Sequence, residues 1–363
     1  MRIHTQRLTL GLILALLAAS ALLYASTYVV VKVASTVPAN GDVNPYGVAV
    51  VQHSSGKLVQ GHVLISNFNS SANLQGTGTT IVDVAPNGTT SLFAWVDVSS
   101  LPGQCPGGVG LTTALAVLRT GWVIVGSLPT TDGTAATAQA GCLLVLNNQG
   151  VVVETIVNAL INGPWDMTAL DQESTASLFV TNVLNGTVAA GGQVVDQGTV
   201  IRIDTTQTTT AMPSVQSMTV IGSGFAERTD PAALVIGPTG VALSAAGTLY
   251  VADSLNNRIM SIGNAANRGS SAGTGTLFSN DSNLNDPLGL TVRSKNGDVI
   301  TVNGNNGKLI VFTSSGQLKS VGFVNAAGSP PGAGALFGLA TSDQGLYFVD
   351  DSRNTLNLLS NPL

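Results

Sequence analysis

"GPTGVALSAAGTLYVADSLNNRIMSI", residues 237–262, decides the fold. It reads as an apolar strand, a glycine turn, an alternating second strand ending in Asp253, an Asn-Asn turn and a third strand. The same order returns in "NDPLGLTVRSKNGDVITVNGNNGKLIVF" (285–312) and "GALFGLATSDQGLYFVDDSRNTLNLL" (334–359), with marker glycines Gly240, Gly289 and Gly338 each 49 residues apart. A fixed period of this length is the signature of a repeat architecture. Earlier copies stand at Gly47 ("VNPYGVAVVQHSSGKLVQGHVLISNFN"), at Gly110 ("GLTTALAVLRTGWVIVGSLP") and at "NGPWDMTALDQESTASLFVTNVLNG", where Asp166 replaces the glycine.

Each of the six units is trailed by a further β-rich piece, such as "TTSLFAWVD" or "LKSVGFVNA", except the last, where the chain ends first. Four antiparallel strands repeated radially predict an all-β, six-bladed β-propeller over 27–363. The segment "TYVVVKVAS" (27–35) is the one unassigned strand. Pairing it with the last blade closes the ring and removes an open edge.

Composition agrees. Gly, Val and Thr are abundant, only 9% of the 363 residues are charged, and 14 Lys plus Arg face 19 Asp plus Glu, a net charge of -5. No basic cluster exists to neutralise phosphates, which disfavours nucleic acid as a partner. Arg2 and Arg7 precede the apolar run "LTLGLILALLAASALL", and small residues follow. Residues 1–26 are therefore expected to be a signal peptide, or else a retained membrane anchor, and the mature protein to be periplasmic or extracellular. Cys105 and Cys142 are expected to form a disulfide, the alternative being two buried thiols.

In the last three units P-x-G-[VL] opens the inner strand, [LV]-Y/I-x-x-[DN] closes the second and N/R-N/G-x-[IL] enters the third. These motifs resemble NHL-repeat six-bladed propellers, a fold whose functions diverge too widely to carry over. There is also similarity to gluconolactonase-like propellers, which hold a divalent cation at the channel mouth with Glu, Asn and Asp. Here no Glu stands at the inner-strand starts. The resemblance would be met by Asn44, Asp166 and Asp286, with Ca²⁺ or a similar ion as cofactor; without it no cofactor is expected.

The residue before each marker forms a ring of Tyr46, Trp165, Thr239, Leu288 and Phe337, expected together with Asp166 around one mouth of the channel. It is either an apolar rim for a sugar, lactone or aliphatic ligand, or core wedged between blades. Asn67, Asn182, Asp253, Asn303 and Asp350 recur at the end of the second strand. They are expected to accept backbone N–H groups of the next turn, with Arg258 bracing the turn after Asp253. Glu227, Arg228 and Asp230 lie in what reads as a long connection into the fourth blade. They are a candidate charged loop, or an internal Arg-carboxylate pair that orders it.

Between second and third strands the turn swells in the first three units, from Phe68, Leu128 and Val183. Loops on a rigid scaffold are where binding resides. Three histidines, with no phosphate loop or H-E-x-x-H, assemble no recognisable catalytic set. The expectation is an exported, non-catalytic propeller that binds a small molecule, a glycan or a protein on the loop-rich face, or serves as an envelope component. The alternative is a metal-assisted lactonase at the channel mouth.

Overall fold

The computed structural model describes residues 29–360; the expected signal segment at 1–26 lies outside them. Six antiparallel sheets follow one another as blades 1 (43–95), 2 (111–156), 3 (164–236), 4 (238–279), 5 (287–323) and 6 (336–359). Each has four strands in chain order except at two places. Val30–Ser35 pairs antiparallel with Thr355–Leu359 and supplies the outer strand of blade 6, with Val30 opposite Leu359 and Ser35 opposite Thr355. Blade 3 adds a fifth, short strand, Leu234–Ile236.

The second strand of each blade is buried along almost its whole length, because both faces of a blade pack on neighbours. Apolar clusters fill the seams: Leu64, Leu115 and Leu144 between blades 1 and 2, Ile124, Leu178 and Ile201 between 2 and 3, Val251 and Phe179 between 3 and 4. The seam of blades 6 and 1 is continuous with the aromatic residues at the mouth. Burial at these seams is the main stabilising term.

Why the marker is glycine follows from how closely inner strands approach. A Cβ on Gly240 would fall on the carbonyl oxygen of Leu288, on Gly289 on that of Phe337, and on Gly338 on that of Tyr46. Each marker thus faces the rim residue of the next blade, and the last faces the first. In blades 1 and 3 a hydroxyl stitches the same seam: Ser66 accepts from Gly47 N and donates to Thr112 O, and Thr181 accepts from Asp166 N and donates to Thr239 O.

The Asx ring is placed differently from expectation. All five side chains are buried, but they accept from, or donate to, side chains and the preceding connection rather than capping the next turn through its backbone N–H groups. Asp253 takes Arg258 Nε at 2.7 Å and Asn256 Nδ2 at 3.1 Å; Asp350 takes Asn325, Ser352 and Arg353; Asn182 Oδ1 accepts from Asn162 N. The reason is the short 3-10 turn after Asp253 and Asp350, which returns its own amides to its own carbonyls through Asn257 and Asn354. Blade 2 carries Ser127 at this position, paired with Leu111.

Cys105 and Cys142 form a disulfide spanning 37 residues. It fastens the connection before blade 2 to the first residue of that blade's third strand, at the base of the loop after Leu128. In the chain-entropy account a loop of this length is worth about 4 kcal/mol. Reduction, or Cys105→Ser with Cys142→Ser, is expected to lower the denaturation midpoint accordingly in a urea titration. An unchanged midpoint would show that the bridge adds nothing.

Candidate functional site

The inner strands all begin at one end of the channel, and this mouth is built in three tiers. The lowest is aromatic. Tyr46 is sandwiched between Phe337, at 3.9 Å between centroids, and Phe68, at 4.5 Å, with Trp165 edge-on at 5.5 Å. Leu288 joins the same cluster. Thr239 belongs to the ring by position, yet its hydroxyl turns into the seam of blades 4 and 5, where it bonds Pro287 O at 3.0 Å. The expected rim residues are therefore brought together and buried against one another; of the five, none is more than 8% exposed. Phe68 was not anticipated. Its signal is positional: the residue after each Asx position is Phe68, Leu128 and Val183 in blades 1–3 but Ser254, Gly304 and Asp351 in blades 4–6. One half of the mouth is thus greasy and the other polar.

The second tier is acidic. Asn44 and Asp286 are equivalent residues, each just before a proline near the start of an inner strand and each in the left-handed region, at φ 63° and 55°. Pre-proline residues are barred from the right-handed helical region, and Asn and Asp tolerate the left-handed one. Their amides donate to Asn354 and Asn257 of the neighbouring blade's turn, at 2.7 and 2.6 Å. Burial, helped by Asp230 and opposed by Arg228, raises the Asp286 carboxyl to about 6. Burial next to Asp350 raises Asp351 to about 7. Burial, with the charges of Asp351 and Asp286, also holds the Tyr46 hydroxyl well above its ordinary range.

The top tier is a cap. Most of the stretch expected as a connection (222–240) is instead the continuation of blade 3's outer strand, Ser214–Asp230, which folds back on Leu234–Ile236. Alternation along that strand separates the charged residues. Arg228 pairs with Asp230 at 2.7 Å, whereas Glu227 points inward, fully buried, and accepts from Asn185 N at 2.9 Å. The hairpin lowers Leu234 and Val235 into the aromatic cluster, and its tip accepts a bond from Gln75 to Ala232 O. The loop after Leu128 closes the remaining side through Thr130 N to Gly76 O. All three swollen loops and the hairpin meet over the greasy half.

Asp166 occupies a different place. Its Oδ1 accepts from Met167 N and its Oδ2 from Val241 N of blade 4, and burial raises it to about 7. It lines the central channel, a cavity of about 290 Å³ bordered by all six inner strands, in which neither Asn44 nor Asp286 takes part. An ion held by the three together does not fit this arrangement. Among the described residues no group of three or more His, Cys, Asp or Glu side chains converges as metal ligands.

Glu227 is raised to about 8 by burial. An acid whose folded pKa lies above its unfolded value binds more protons when folded, so its contribution to stability is complete below the unfolded pKa and is lost as pH rises through the folded one. For Glu227, Asp166, Asp351 and Asp286 that window runs from about pH 4 to about pH 8. Thermal unfolding is expected at lower temperature at pH 8 than at pH 5. Glu227→Gln should melt a few degrees above the parent at pH 8 and level with it at pH 5; equal midpoints at both pH values would refute the assignment.

No family model matches the chain, and no curated protein does. Solved structures do. A luciferin-regenerating enzyme superposes with a TM-score of 0.56 at 13% identity, covering 93% of this chain and 96% of its own. Regucalcin from Agrobacterium tumefaciens, described as calcium-binding, gives 0.53 at 13%, covering 90% and 93%. A candidate gluconolactonase gives 0.53 at 14%, covering 92% of both chains. At such identities the likeness establishes architecture alone: the chain is a six-bladed β-propeller of the shape shared by gluconolactonase-like and regucalcin structures.

Proposed function

We propose that this propeller is an exported, non-catalytic binding protein whose ligand docks on the capped end face. One observation carries this reading: three enlarged loops and the 228–236 hairpin, from three successive blades, converge on one end of a scaffold that is otherwise regular. The Cys105–Cys142 disulfide supports an oxidising compartment. The polar half of the mouth, with Arg228, Asp230 and Asp351 partly accessible beside buried Asp286, is where a small molecule, glycan or protein would meet the scaffold. Screening immobilised glycans, metabolites and secreted proteins tests it. Saturable binding weakened by Arg228→Ala with Asp351→Asn supports the reading; binding indifferent to that pair overturns it.

A lactonase remains the second reading, favoured by carboxyls raised to about 6 and about 7 at the mouth and by enzymes among the proteins of similar fold. One tightly held divalent ion per chain, together with δ-lactone hydrolysis lost in Asp286→Asn, would replace the first reading with this one.

A further inference from the structure

The end face opposite the cap carries a groove of about 910 Å³. It lies between the first-to-second strand turns of blades 5 and 6 (293–296 and 342–345) and the blade 1 hairpin around Gln60. Val50, Gln52 and Thr341 border both this groove and the central channel, so the two adjoin. The channel is plugged by aromatic rings at the capped end, which leaves this end as its entrance.

The groove's chemistry is distinct from that of the mouth. Its wall holds Arg293, Lys295 and one acid, Asp343; Arg293 is paired behind the wall with buried Asp298, and Lys295 is the exposed cation. The turn that presents them is rigid: buried Asp298 takes Lys319 at 2.7 Å and Asn296 Nδ2 at 2.7 Å, Arg293 leans on it at 3.8 Å, and Arg293 N donates to Asp298 O. Lys295, at the exposed apex, has no ion pair among the described residues. On the facing wall Tyr347 donates its hydroxyl to Gln344 Oε1 at 3.1 Å, which fixes that amide and leaves its N–H₂ to donate outward. Gln60 and Gln52 add two further amides, and the channel beyond offers the hydroxyls of Thr113, Thr291 and Thr341.

Planar amides give a donor and an acceptor side by side, the match for neighbouring sugar hydroxyls. Ammonium and guanidinium groups select carboxylates. We propose that this groove binds an acidic, uronate-containing oligosaccharide, its carboxylate toward Lys295 and one end directed into the channel.

Calorimetric titration with a galacturonate oligomer tests this on the full chain, with a carboxyl-reduced oligomer and an oligoglutamate peptide as controls. Saturable binding of the uronate is expected, at least about tenfold weaker for the reduced sugar and for Lys295→Glu, and weaker for Gln344→Ala. Both changes are on exposed side chains, and unchanged melting checks their folding. Arg228→Ala, on the capped face, should leave uronate affinity unaltered, so this site and the one proposed there fail independently. Absence of uronate binding, equal affinity for the reduced oligomer, oligoglutamate binding as tight as uronate, or indifference to Lys295→Glu would each overturn the proposal.

Discussion

A chain that begins at Thr36 is expected not to yield a soluble monomer, or to melt at least about 10 °C below a chain that begins at Val29. The residues removed supply one strand of blade 6. Without them the amides and carbonyls of Thr355–Leu359 lose the partners they have in Val30–Ser35, and an apolar edge strand is left open to pairing with other molecules. The loss also reaches the core. Ala34 and Val33 pack in the cluster that holds Leu356, Val349 and Tyr347 and continues to the mouth aromatics. Asn67 Nδ2 donates to Thr36 O and Thr36 N to Asn354 O, so the segment that leads from this strand into blade 1 is itself fastened at the seam. Size-exclusion chromatography and thermal unfolding of the two chains decide it. A soluble, equally stable chain from Thr36 would mean that the ring closes through inter-blade packing alone.

Gly289→Ala is expected to cost about 3 kcal/mol or more, with Gly240→Ala and Gly338→Ala behaving alike. These are not turn glycines needing positive φ; their constraint is contact between blades. The added methyl at 289 would coincide with Phe337 O of blade 6, a backbone atom that cannot swing aside as a side chain would. Relief requires blades 5 and 6 to part, and with them the layer of packed strands behind. Gly263→Ala is the control, since nothing lies within 4 Å of a Cβ there. Urea unfolding of the four variants compares them directly. Markers as tolerant as Gly263 would show that inner strands have slack to separate.

Sixfold repetition, four strands per blade, closure of the last blade by a strand within 27–35 (Val30–Ser35) and the disulfide were all legible in the sequence. Each depends on short-range pattern: alternation, turn residues, a recurrent glycine, a pair of cysteines. Arg258 was legible too, because a residue five positions beyond Asp253 faces it across a tight turn. The role of the Asx ring was only half legible. Position showed that the side chains sit at a turn, whereas their partners come from connections distant in sequence.

The mouth was least legible. Residue type and register placed Tyr46, Trp165, Leu288 and Phe337 on one ring, but whether the rings line an opening or fill it depends on the width of the channel and on what covers it. Residues 222–236 show why. As sequence they are a loop between blades, and only the backbone's freedom to extend Ser214–Asp230 beyond its sheet turns them into a cap that buries Glu227 and brings Arg228 over Asp286. Asp166 makes the same point. Its identity marks a departure from glycine, yet the amide of Val241 that receives it belongs to another blade, 75 residues away. Local periodicity determined the scaffold because hydrogen-bonded strands and turns are local. The capped mouth, the buried acids and the open groove were decided by tertiary structure, because burial and electrostatic environment are properties of what packs together from distant parts of the chain.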